Sequence, residues 1–168
     1  MGLTLFETPD GLSAFAEKMA DAYQNMLVGN YYSGGISAAS AGALTANRLY
    51  ANPFFVARSM TFDRIAVDVT TGVAGAMRLG IYNDSAASPG SLVLDCGALD
   101  ITSTAFVTIT ISKQLTKGWY WLAGVANATA SATRLSNTLT GTPLGHSNTA
   151  FNVQVCVYRA FTYAALPD

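Results

Sequence analysis

The spacing of apolar residues near the amino terminus predicts one amphipathic helix. From residue 10 to about residue 28, apolar side chains recur three and four positions apart, which is the spacing of one helix face. Asp10 is a suitable N-cap, and Gly29 followed by Asn30 is a suitable stop. A helix of about five turns is marginal alone, so this face must pack against something. We expect an attachment or oligomer interface formed by Leu12, Phe15, Met19, Tyr23 and Met26.

The composition changes after this helix. Residues 33 to 46 are rich in Gly, Ser and Ala, which predicts an extended connector or a mobile first strand. The sequence therefore predicts three parts. They are a helical attachment or oligomerisation segment over residues 1 to 32, the connector over residues 33 to 46, and a β-sandwich domain over residues 47 to 168.

Beyond residue 47 the hydrophobic pattern changes to period two, the period of strands. Alternation is clearest in two apolar rows, Ile65, Val67 and Val69 in one and Met77, Leu79 and Ile81 in the other. The further predicted strands cover residues 48 to 56, 92 to 96, 106 to 111, 119 to 125 and 152 to 163. The pattern is typical of a mainly β fold, an antiparallel β-sandwich preceded by one N-terminal α-helix. Long polar connections, residues 126 to 136 and 140 to 148, favour a jelly-roll-like or Greek-key topology over a meander.

Composition excludes several functional classes. The chain has 168 residues, of which 51% are hydrophobic and 11% charged, against about 25% charged in an ordinary soluble domain. Disorder needs the opposite balance, and a net charge of −1 offers no basic surface for nucleic acid. Polar residues interrupt every apolar run, so we expect no membrane insertion. Because large apolar patches are uncommon on monomers, we expect a homo-oligomer, with a trimer favoured.

The residues for catalysis or metal binding are sparse. His146 is the only histidine and lies in a polar loop without a nucleophile motif, so we predict no enzyme and no cofactor. One histidine cannot form a zinc site unless thiols or carboxylates converge on it, so we also predict no metal site. The acids that a glycosidase would need belong to no recognisable motif; they are Asp63, Asp68, Asp84, Asp95 and Asp100. Cys96 and Cys156 are either two buried free thiols or a disulfide between neighbouring strands.

The run Trp119-Tyr120-Trp121 has two interpretations. In a strand, Trp119 and Trp121 share one face while Tyr120 points to the other. These aromatic rings either fill the core of the sandwich or form a surface on which sugar rings stack. The candidate ligand surface consists of Trp119, Trp121, His146 and Asn148.

Several short motifs of the β domain resemble one module found in known proteins. They are Leu49-Tyr50, Pro53-Phe54, Thr61-Phe62-Asp63-Arg64-Ile65, Arg78-Leu79-Gly80-Ile81-Tyr82, Ser88-Pro89-Gly90-Ser91-Leu92, Leu94-Asp95 and Gly118-Trp119-Tyr120-Trp121-Leu122-Ala123. The module is that of virion surface proteins of tailed bacteriophages, where it forms a small jelly-roll sandwich. The resemblance covers residues 45 to 125, with a weaker similarity at residues 163 to 167. It implies a surface part of a phage particle and transfers no ligand-binding residue.

These observations lead to one expected function and one alternative. We expect a non-enzymatic, homo-oligomeric virion structural protein, assembled in the host cytoplasm and displayed as a tail fibre or spike component that binds a host-surface glycan. Its partners would be copies of itself, other virion proteins through the N-terminal segment, and the glycan. The alternative is a capsid decoration protein or head spike that stabilises the shell without binding a ligand.

Overall fold

The computed structural model describes residues 30–32, 39–135 and 157–168. The helix predicted over residues 10 to 28 lies outside the described residues, together with its face of Leu12, Phe15, Met19, Tyr23 and Met26. The described residues form nine strands. These are β1 (Ala39–Ala43), β2 (Arg48–Val56), β3 (Met60–Thr71), β4 (Ala76–Asp84), β5 (Pro89–Asp100), β6 (Ala105–Leu115), β7 (Gly118–Ala126), β8 (Ser131–Leu135) and β9 (Val157–Ala160).

The strands form two antiparallel sheets that pack as a sandwich, which confirms the predicted mainly β class. The four-stranded sheet has the order β1-β8-β3-β6, and the five-stranded sheet has the order β5-β4-β7-β2-β9. Consecutive strands lie in opposite sheets at every step except between β4 and β5, which pair with each other. Residues distant in sequence are therefore brought together across both sheets.

Alternating apolar residues of β3 and β4 build the interior between the sheets. Val69 of β3 packs in one buried cluster with Met77 and Leu79 of β4. Ile65 and Val67 pack against that cluster, as their row in the sequence predicts. Fully burying one such aliphatic side chain contributes about 1.5–3 kcal/mol, so the two rows stabilise the contact between the sheets.

The five-stranded sheet is covered on its other face as well. The C-terminal segment, residues 161–168, crosses that face and inserts Leu166, which is only 6% exposed. Leu166 lies directly over Gly80, where a Cβ atom would collide with its Cδ1 atom. The Leu166 N–H donates to Asp95 Oδ2 at 3.0 Å. We call this covered side the outer face of the five-stranded sheet.

The structure differs from the sequence prediction in the segments poor in large apolar residues. The polar connection predicted over residues 126 to 136 is wrong in part, because residues 131–135 form β8. Residues 39–43 form β1. This part of the predicted connector is therefore a strand, which was one of its two predicted alternatives. The two strands pair with each other, and β8 also pairs with β3. Backbone hydrogen bonds to neighbouring strands order these segments without a strong hydrophobic signal.

Candidate ligand-binding face

The outer face of the five-stranded sheet carries alternate residues of β2 and β7. Because the two strands are antiparallel, these residues form cross-strand pairs on one side of the sheet. The pairs are Leu49 with Val125, Ala51 with Ala123, Pro53 with Trp121, and Phe55 with Trp119. The row runs from a covered end, near the C-terminal segment, to an exposed aromatic end.

Trp119 and Phe55 form an aromatic pair at the exposed end of this row. Their ring centroids are 5.1 Å apart and their planes are inclined by 50°. Trp119 is 54% exposed although it is a large apolar side chain, and Phe55 is half-buried beside it. Phe55 therefore supports one side of the indole while much of the indole remains open to solvent. A rigid aromatic surface of this kind can stack against the apolar face of a ligand ring.

Trp121 has a different environment although it shares the strand face. It is 6% exposed and belongs to the same buried cluster as Tyr82 and Leu166. Its indole Nε1–H donates to Asp84 Oδ1 at 2.8 Å. Trp121 is therefore a packed side chain, which corresponds to the first interpretation of the run Trp119-Tyr120-Trp121. Trp119 is the member of the run whose ring remains exposed to solvent. The hydrogen bond also gives Asp84 a structural partner.

A cavity of about 280 Å³ opens at the covered end of the row. Its floor is formed by small and apolar residues of the outer face, which include Ala51 and Ala123. Val157 and Arg159 of β9 line it on one side, and Asp168 of the C-terminal segment lines it on another. The cavity therefore joins an apolar floor to a rim that carries one cationic and one anionic side chain.

Tyr82 lies where the cavity meets the C-terminal segment. Its hydroxyl donates to the Pro167 carbonyl oxygen at 2.9 Å. Burial raises the pKa of Tyr82 above its ordinary value; the charge of Arg159 acts against this rise, and those of Asp95 and Asp168 reinforce it. Both charged rim residues therefore lie close enough to the phenol to affect its ionisation.

Asp95 and Arg78 form an ion pair on the same face. The Arg78 Nε atom lies 2.8 Å from Asp95 Oδ2, and both side chains are mostly shielded from solvent. Burial by itself would raise the pKa of Asp95, but hydrogen bonds from Arg78 and from the N–H groups of Gly97 and Leu166 hold it below its ordinary value. The pair anchors the C-terminal segment that forms one wall of the cavity.

The other aspartates considered in the sequence analysis either form hydrogen bonds with nearby threonines or are exposed. Asp68 Oδ2 accepts the Thr133 hydroxyl at 2.6 Å, and Asp100 accepts both the hydroxyl and the N–H of Thr102. Asp63 is exposed and lies 4.0 Å from its neighbour Arg64, a separation at which a surface pair contributes little. Within the described ranges, no three His, Cys, Asp or Glu side chains gather as metal ligands would.

The remaining predicted residues fall in two groups. His146 and Asn148, proposed as part of the ligand surface, lie outside the described residues. Cys96 is a free, half-buried thiol, and burial together with the charge of Asp95 raises its pKa to about 11. Cys156 also lies outside the described residues. In the part of the chain that the structure describes, no helix is long and apolar enough to span a membrane.

Sequence reasoning missed Phe55 and the cavity. The alternation of β2 places Phe55 on the opposite face from Phe54, and that signal was present in the sequence. The cavity had no comparable signal, because Ala51, Arg159 and Asp168 are brought together only by the sheet order and by the path of the C-terminal segment.

Comparison with known proteins adds no relative to this picture. No protein-family model matches the chain, and neither a curated protein nor a solved structure matches it significantly.

Proposed function

We propose that this chain is a non-enzymatic, homo-oligomeric virion surface protein of a tailed bacteriophage that binds a host-surface glycan. In this proposal it is a tail fibre or spike component, and its outer face, with Trp119 at the exposed end, contacts the host. The N-terminal segment joins the subunit to its sister copies or to other virion proteins. The chemistry requires no cofactor, because recognition depends on stacking and hydrogen bonding alone.

The strand order supports a jelly roll as the finer description of the sandwich. The first strand pairs with the eighth, the second with the seventh, the third with the sixth and the fourth with the fifth. Such nested pairing is that of one long antiparallel ribbon folded over into two sheets, which is the jelly-roll arrangement. This topology agrees with the module that the sequence motifs resemble.

The aromatic pair is the single observation that carries the binding proposal. Trp119 is 54% exposed, so covering its ring with another molecule would remove apolar surface from water and would be favourable. Sugar rings present a face of C–H groups to an aromatic ring and hydroxyls to polar neighbours. An exposed ring of this limited area therefore fits a sugar better than it fits a large apolar protein surface.

The position of residues 30–32 supports an outward orientation of this face. Tyr31 contacts Phe106 edge to face, with centroids 4.8 Å apart. Phe106 alternates with the buried-side residue Val107 in β6, so it lies on the outer side of the four-stranded sheet. Tyr31 thus lies on the side of the sandwich opposite Trp119. A subunit held at the Tyr31 side would leave the Trp119 face free.

The proposal is tested on virus particles. Immunogold electron microscopy with an antibody against residues 39 to 135 should label the tail tip or spike, and purified full-length protein should compete with particles for adsorption to host cells. Removing the host polysaccharide should abolish the competition. Unlabelled particles with an accessible epitope would refute the virion assignment, and unchanged adsorption at saturating protein would refute host binding.

The alternative function, capsid decoration, is favoured by the exposed Phe106. It is 53% exposed on a sheet face whose neighbouring β6 residues are mainly Thr and Ser, so it is a point at which another capsid subunit would make apolar contact. Under this alternative, gold would label the head. Particles lacking the protein would adsorb normally but burst at lower temperature.

A further inference from the structure

The cavity and the aromatic pair lie on one continuous row of residues. Ala51 and Phe55 are on the same side of β2, and their partners Ala123 and Trp119 are on the same side of β7. Four residues of strand separate the two places, which corresponds to about 13 Å. Pro53 and Trp121 lie between them in the row, with Pro53 half-buried and Trp121 covered by its packing neighbours. A chain of a few sugar rings is long enough to contact both ends of such a row.

The rim of the cavity has the hydrogen-bonding groups that a sugar ring needs. Asp168 Oδ1 accepts the Leu92 N–H at 3.1 Å, whereas Oδ2 has no hydrogen-bond donor among the described residues. Arg159 has no carboxylate partner within 4.0 Å in the described ranges, and its guanidinium lies 5.8 Å from the ring centroid of Phe161. An acceptor and a donor thus lie on the rim of one cavity without forming a bond to each other.

We propose that this cavity is a second sugar subsite, which takes one neutral pyranose ring of an oligosaccharide whose other end stacks on Trp119. The inference rests on the proposed function and names its ligand more closely. Arg159 donates to ring hydroxyls, Asp168 accepts from them, and the alanines of the floor contact the C–H face. No covalent step is involved.

The charges of the rim select a neutral ring over an acidic one. A sugar carboxylate would be attracted by Arg159 but repelled by Asp168, and the nearby Asp95 is already paired with Arg78. A neutral ring can form hydrogen bonds with both Arg159 and Asp168, and it carries no charge that either residue would repel. A purely apolar ligand would cover the same side chains and leave them without partners, which is unfavourable.

The test compares oligosaccharides of different length. Full-length protein is titrated calorimetrically with neutral fragments of bacterial surface polysaccharide, one to four residues long, and with uronic-acid fragments of equal length. The variants are Arg159→Ala, Arg159→Gln and the control Arg64→Ala, which removes an exposed arginine from the other sheet. The wild-type affinity should rise with length as the ligand reaches the cavity. In Arg159→Ala the increase in affinity with ligand length should be about tenfold smaller, because a hydrogen bond from a charged donor is removed.

The other outcomes separate this inference from the proposed function. Arg159→Gln should retain much of the gain since its amide still donates, and Arg64→Ala should retain all of it. Preference for uronic acids, or a length gain that survives Arg159→Ala, would overturn the neutral subsite. If Trp119→Ala still weakened binding in that case, glycan recognition by the aromatic pair would stand. Failure of the wild-type protein to bind any fragment would overturn both.

Discussion

Replacing Trp119 with alanine removes the open ring of the aromatic pair and leaves the sheet beneath it. An aromatic side chain offers about 150–250 Å² of surface, and Trp119 is 54% exposed, so roughly 130 Å² of it faces solvent. A sugar stacked on one side of the ring would cover about half of this area. At about 25 cal/mol per Å², the lost contact amounts to ~1.6 kcal/mol, or about fifteenfold in Kd.

The assay is calorimetric titration of purified protein with the host oligosaccharide that binds most tightly. The matched control is Phe106→Ala, which removes a ring of nearly equal exposure, 53%, with its own aromatic neighbour, from the opposite side of the sandwich. Both variants should unfold within about 1 kcal/mol of the wild type, because both rings are largely exposed. Only Trp119→Ala should weaken binding.

The result that would refute this reasoning is equal behaviour of the two variants. If both retained wild-type affinity, the aromatic pair would not be the contact surface. If both lost affinity together, the effect would reflect folding or assembly rather than stacking. On whole particles many copies bind at once, so loss of one contact per copy can reduce adsorption far more than fifteenfold. The comparison is therefore made on isolated protein.

The other predictions concern the C-terminal segment, the ion pair and the thiol. Leu166→Ala should lower the free energy of unfolding by about 2–4 kcal/mol in urea titrations, because it empties a buried position over Gly80; an unchanged midpoint would show that the segment is not part of the core. The pKa of Asp95 is lower in the folded state than the ordinary value of 3.8, so the unfolded chain binds more protons as pH falls. The stabilisation is complete above 3.8 and is lost as pH falls through the folded pKa. Arg78→Met should flatten this acid dependence, and an identical pH profile would contradict it. Cys96, with a pKa raised to about 11, should be alkylated slowly at pH 8 in the folded protein and rapidly in urea; equal rates would show that the thiol is accessible.

Large alternating residues made much of the sandwich predictable. The rows containing Val69 and Leu79 have period two, and their side chains lie in the interior between the sheets, as the pattern predicts. The strand β8 was not predicted because Ser131–Leu135 contains one large apolar residue, and its buried Ala132 gives no periodic signal. A strand of small and polar residues is specified by the neighbours that pair with it, and local sequence does not name those neighbours.

The candidate site divides in the same way. The sequence by itself determined that Trp119 and Trp121 share one strand face, because successive strand residues alternate. It did not determine that Trp119 is 54% exposed and Trp121 only 6%. That difference depends on Asp84 and on the C-terminal segment, which reach Trp121 from other parts of the chain. Alternation is a local property of the backbone, whereas exposure depends on which distant segments cover a face, so tertiary structure alone decided which ring stays open and where the cavity lies.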